Sequence, residues 1–189
     1  MTWHLAVRRW RLTTTLLAAS LVLMTFVGTS VVPIPSLGQA ASWGVPAALV
    51  LPALQAAVIA SALGGGTHLD AQRGSSVRRT VVMDRWYVLA LVIAVVVVES
   101  AVGLVGDDPL LASAARNLLA GVGVALLAAR VAGPQVAPVA PVLVTLFCGV
   151  FGRGLAGPEP WAWLLHEPFA PGALALSVVL FAAGLVRLR

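Results

Sequence analysis

The sequence predicts an all-α, polytopic membrane protein of six transmembrane helices with both termini in the cytoplasm. Three observations predict it: the composition, the length of the apolar runs, and the way Arg and Trp bracket those runs. Of the 189 residues, 60% are hydrophobic and 10% are charged, and mean hydropathy is +0.98. A soluble domain carries roughly 25% charged residues to cover its surface, so lipid must cover most of this chain. The net charge of +5 does not indicate nucleic acid, because the basic residues lie in short tracts beside apolar runs instead of forming a phosphate-binding stripe. All 12 of them are Arg, in an Ala- and Val-rich chain, a composition that suggests a GC-rich bacterial genome.

A hydrocarbon core about 30 Å thick needs roughly 20 apolar residues in a helix, the one open structure that satisfies its own backbone in lipid. The runs place spans at about 12–32, 45–63, 86–105, 110–131, 136–151 and 172–188. Gly64-Gly65-Gly66 ends the second, and Val95 to Val98 is the most hydrophobic tract of the third. Pro138 and Pro141 stand near the start of the fifth, which is short. A β-barrel is excluded, since period-two alternation is absent. All of residues 1–189 form one transmembrane domain.

Orientation follows from Arg in the short connections. With the amino terminus inside, the cytoplasmic side collects Arg8, Arg9, Arg11, Arg73, Arg78, Arg79, Arg85, Arg130, Arg187 and Arg189, leaving Arg116 and Arg153 towards the outside. Asp107, Asp108, Glu159 and Glu167 fall outside. Trp3, Trp10, Trp43, Trp86, Trp161 and Trp163 all lie at predicted span boundaries, where an indole ring is half in hydrocarbon and half in water. Arg8-Arg9-Trp10-Arg11 before an apolar run resembles a signal peptide, but the run is long enough to span and is expected to be retained.

Little points to catalysis. There is no nucleophile–base arrangement, no HExxH and no CxxC. Gly64-Gly65-Gly66 lacks the Lys-Ser/Thr of a phosphate loop. His4, His68 and His166 stand in separate segments, without metal-ligand spacing, and the single Cys148 allows no intrachain disulfide. No cofactor is expected.

Glu99 is the residue that needs a physical reason, because an acid inside a span is costly and normally has a partner or a wet cavity. It lies seven residues before Gly106, and Arg116 lies seven after Pro109. Both therefore stand roughly 10 Å below the outer helix ends. The turn Gly106-Asp107-Asp108-Pro109 makes spans three and four antiparallel neighbours, so Glu99 and Arg116 are expected to pair, with Asn117 as a third member. The pair is expected to be a structural staple, a transport-active group being the alternative.

Two loops and a stripe of small residues stand out. The cytoplasmic loop 67–85, with Asp70, Arg73, Arg78 and Arg79, reads either as a partner-contacting surface helix or as a basic loop touching anionic lipid. Residues 158–169, with Trp161, Trp163, His166 and Glu167, are too apolar for a solvated loop and too short to span. They predict an interfacial helix or one that dips in and returns. Residues 2–11 predict a second interfacial helix, on the cytoplasmic side. Gly121, Ala125, Ala128 and Ala132 mark a small-residue face on the fourth span.

This arrangement of amphipathic amino terminus, six spans, cytoplasmic loop between spans two and three, and semi-buried outer segment between spans five and six resembles the permease subunits of ABC exporters of the type-two permease superfamily. The resemblance is one of topology. It implies that the 67–85 loop carries a coupling helix contacting a separate cytoplasmic ATPase. It also implies that two permease chains, alike or different, enclose a pathway for a peptide, lipid or antibiotic-like compound. A non-transporting scaffold or accessory subunit of a larger membrane complex is the alternative reading. Membrane lipids are partners under either, and nucleic acid under neither.

Overall fold

The computed structural model describes residues 10–34, 43–64, 77–154 and 157–187. Six α-helices account for most of them: α1 (Trp10–Val27), α2 (Ala47–Gly64), α3 (Val77–Gly106), α4 (Pro109–Ala132), α5 (Ala140–Phe151) and α6 (Pro171–Arg187). Two short antiparallel hairpins interrupt the series: β1 (Val31–Ile34) with β2 (Trp43–Pro46), and β3 (Arg153–Gly154) with β4 (Gly157–Pro158).

Where these helices begin and end follows from local chemistry. α1 stops at Val27, short of the expected 32. Gly28, Thr29 and Ser30 weaken the helix, and Val31-Val32-Pro33 suits an extended chain better. The expected first span therefore finishes as a strand, Val31 to Ile34 pairing with Pro46 to Trp43. The turn between α3 and α4 forms as expected. Asp107 adopts a left-handed φ of 50°, the Asp108 amide returns to the Gly103 carbonyl at 3.0 Å, and the Asp108 carboxylate caps α4 by accepting from the Leu110 amide at 2.9 Å. Pro109 then occupies the first turn, where its missing N–H has no consequence.

The fifth helix is shorter than the 136–151 expected, beginning only at Ala140. Pro138 and Pro141 remove donors and disfavour helical backbone in the residues before them, so residues 134–139 are turns. Twelve residues make about 18 Å of helix, well short of a bilayer core.

α4 is the axis of the bundle, packing against α2, α3, α5 and α6. Its buried positions run from Leu111 to Leu126, and 67% of its apolar window is buried, against 22% for α3 and 17% for α1. The most hydrophobic of these three windows, that of α3, is thus far less buried than that of α4. Val97, Val98, Leu104 and Val105 of α3 point outward, as do Leu16, Val22, Leu23 and Phe26 of α1. Small residues stand where helices of the core approach closely. Gly123 shows why: a Cβ there would lie 2.5 Å from the Leu180 carbonyl carbon of α6, so the α4–α6 approach requires glycine. Gly121 of the expected small-residue face does meet α2, at Ala56, and buried Ala125 packs with Ala60 and Ala137.

α1, α3 and α4 are long and apolar enough to cross a membrane; α2, α5 and α6 are shorter apolar helices. Three exposed hydroxyl groups are satisfied inside their own helices: Thr14 donates to the Trp10 carbonyl, Thr25 to that of Val22 and Ser61 to that of Val58, so these three present no unpaired O–H to hydrocarbon.

Candidate functional site

Two polar groups are buried two turns below the hairpin end of the bundle, on opposite sides of α4. The first is Arg116, 2% exposed. Its Nη1 donates to the Glu167 carbonyl at 2.7 Å. Its Nη2 donates to the His166 carbonyl at 3.2 Å and approaches that of Leu164 at 3.5 Å. Nε and Nη2 both donate to Asn117 Oδ1 at 3.3 Å, and Asn117 Nδ2 donates to the Leu164 carbonyl at 3.3 Å. A planar guanidinium with five forked donors suits such a ring of carbonyl dipoles.

These bonds define the segment between α5 and α6. To reach Arg116, seven residues into α4, residues 164–167 descend roughly 10 Å below the start of that helix. The segment is not the helix expected over 158–169: one 3-10 turn, Trp163–Leu165, is its only helical part. Pro158, Pro160 and Pro168 explain this, because each removes a backbone donor. What the segment shares with the expectation is depth, since Ala162 and Leu164 are buried. It compensates for the short α5. Trp161 stacks on Phe147 of α5 at 5.4 Å between centroids, and Phe147 on Phe151 at 4.9 Å. His166 Nε2 lies 3.1 Å from the Glu159 carbonyl. Glu167 takes part through its backbone oxygen.

The second group is Glu99 on α3, also 2% exposed. It lines a cleft of about 170 Å³ whose other walls are Leu21, Val22, Met24 and Thr25 of α1, Val98 and Val102 of α3, and Leu111 of α4. The Gln55 amide of α2, fully buried, reaches toward the carboxyl. Neither side chain completes a hydrogen bond among the described residues.

The expected ion pair between Glu99 and Arg116 is therefore not formed. Arg116 and Asn117 do act together, but on carbonyl groups. Counting seven residues from each side of the turn addresses height along the helices and says nothing of azimuth. Leu111 shares the cleft with Glu99, and Arg116 lies five residues further on, roughly 140° around α4 at 3.6 residues per turn. The helix itself separates the two charges.

Of the cytoplasmic-loop residues, Arg78 and Arg79 stand in the first turn of α3, so the helix expected in that loop is continuous with the third span. Asp70 and Arg73 lie outside the described residues, as does most of the interfacial segment 2–11. At the end of the bundle opposite the hairpin, Arg85 Nη2 donates to the Val186 carbonyl at 3.0 Å, tying α3 to α6. Among the described residues no three His, Cys, Asp or Glu side chains converge on one point, and Cys148 is a buried free thiol.

Gln55 was not expected at the site, although a signal existed: it is the one Gln inside a predicted span. The carbonyl groups of residues 164–167 had no signal, because any residue type supplies one. No protein-family model, no curated protein and no solved structure matches this chain.

Proposed function

We propose that this chain is the six-span permease subunit of an ABC-type exporter of the cell membrane, with both termini in the cytoplasm. It works with a separate ATPase and a second permease chain to move a peptide, lipid or antibiotic-like compound. The observation that carries this reading is Glu99. A structural staple would be paired, whereas Glu99 stands unpaired in an apolar cleft, the situation of an acid kept for a moving ligand or ion. Other features support it. The segment between α5 and α6 enters the bundle and is held there, as an outer re-entrant element would be. α3 begins with a turn that carries Arg78 and Arg79, a basic, helical segment suited to a cytoplasmic partner. The alternative, an accessory scaffold, is favoured by the α4–α6 contact at Gly123, which makes that half of the bundle a rigid unit.

Co-purification from the native membrane tests the proposal. An ATPase retained by the wild type and released when Arg73, Arg78 and Arg79 are changed to Glu supports the permease reading. Purification without any ATPase removes it.

A further inference from the structure

Both carboxylate oxygens of Glu99, on the inner wall of the α1–α3 cleft, lack a hydrogen-bond partner, and the Gln55 amide behind them leaves its Nε2 and Oε1 unbonded as well. Leaving a buried carboxylate and a buried amide unpaired is costly, and natural structures rarely do so without a ligand or ion to complete them. The remaining walls are apolar. Met24 and Leu111 are buried and form the floor, while Val22 and Val98, 57% and 42% exposed, stand at the mouth. The opening therefore lies on the outward face between α1 and α3, which in a membrane meets acyl chains. The volume of about 170 Å³ is close to the ~150 Å³ of an apolar cavity that admits benzene, so a body of about six carbons fits.

We infer that this cleft binds a small lipophilic primary ammonium, its N–H donors meeting the Glu99 carboxylate and its hydrocarbon body lying between α1 and α3. A primary ammonium carries donors and no acceptor, which suits the two unbonded carboxylate oxygens of Glu99. Its positive charge neutralises Glu99, and its apolar part displaces nothing polar. A quaternary ammonium supplies charge without donors, and an alcohol supplies one donor without charge, so both match less well. The same chemistry is available from a free amine or from the ethanolamine headgroup of a lipid. The inference rests on the membrane placement proposed above, but binding to the isolated chain is read separately from ATPase association, so either can fail alone.

The test is calorimetric titration of n-hexylamine, at neutral pH, into the full chain in phosphatidylcholine nanodiscs, with empty nanodiscs as the reference. Saturable one-site binding is expected. It should weaken at least tenfold for n-hexanol and for hexyltrimethylammonium, and at least tenfold for hexylamine with Glu99→Gln, a nearly isosteric change that leaves the cleft in place. Val98→Phe, at the exposed mouth, should also abolish binding while leaving Glu99 untouched. Replacing part of the lipid by phosphatidylethanolamine distinguishes the sources: competition identifies the headgroup, and unchanged affinity identifies a free amine. Equal affinity for hexanol and hexylamine, undiminished binding to Glu99→Gln or Val98→Phe, or no saturable binding to the wild type would each overturn the inference.

Discussion

Replacing Arg116 by Met tests what holds the segment between α5 and α6. An unbranched apolar stem is kept, and the guanidinium is lost. Its short bonds run to the Glu167 carbonyl at 2.7 Å and the His166 carbonyl at 3.2 Å. Hydrogen bonds to a charged group are worth about 1.5–3 kcal/mol each, so removing two forfeits about 3–6 kcal/mol. Part of this is returned, because Met does not have to bury a cation, and the cost of burying one is several kcal/mol. The Leu164 carbonyl keeps its bond from Asn117. The net expectation is a loss of about 2–3 kcal/mol, seen as an earlier unfolding midpoint in detergent. Hydrogen exchange should rise in the amides of Glu159, Ala162, Leu165 and His166, which now bond within the segment, and much less in α4 itself.

The same variant separates a carbonyl ring from an ion pair. In a double-mutant cycle with Glu99→Gln, partners in an ion pair would show coupling, the second change relieving an orphaned charge. Because Arg116 and Glu99 face opposite sides of α4, the two effects should add to within about 0.5 kcal/mol. Coupling above about 1 kcal/mol, or a Met variant as stable as the wild type, would refute the reasoning.

Gly123→Leu should force α4 from α6, where a Cβ already meets the Leu180 backbone at 2.5 Å. A loss of about 3 kcal/mol or failure to accumulate is expected, read by unfolding midpoint and membrane yield. Asp108→Ala removes the cap on the Leu110 amide and should cost about 1 kcal/mol, measured by the same unfolding curve. With Cys148 replaced by Ala, a cysteine at Asp107, exposed in the turn between α3 and α4, should react with an impermeant maleimide added to intact cells. One at Arg130 should react only after lysis, and the reverse pattern would invert the proposed orientation.

Much of the helical framework was legible because its signals are local. Apolar run length, the Gly106–Pro109 turn and the Asp108 cap each act within a few residues, and α4 and α6 fall within a residue or two of their expected ends. The errors arose where two local preferences competed. Val31-Val32 is as apolar as the helix before it, and only the pairing with Val45-Pro46 shows that it is a strand. Pro138 was visible, but that it delays α5 to Ala140 depends on what fills the depth left over.

What the sequence by itself determined is local: which stretches are apolar, where they turn, and how many residues separate Glu99 and Arg116 from the turn between them. Those are properties of a residue and its nearest neighbours along the chain. Tertiary structure alone decided azimuth and partnership. It placed Arg116 against the carbonyl groups of residues 164–167, some fifty residues away, and left Glu99 with Gln55 in a cleft between α1 and α3. The reason is that a helix position specifies height along an axis, while the face it presents acquires meaning only when neighbouring helices take their places. Carbonyl oxygens, which every residue carries, acquire a role only through that placement.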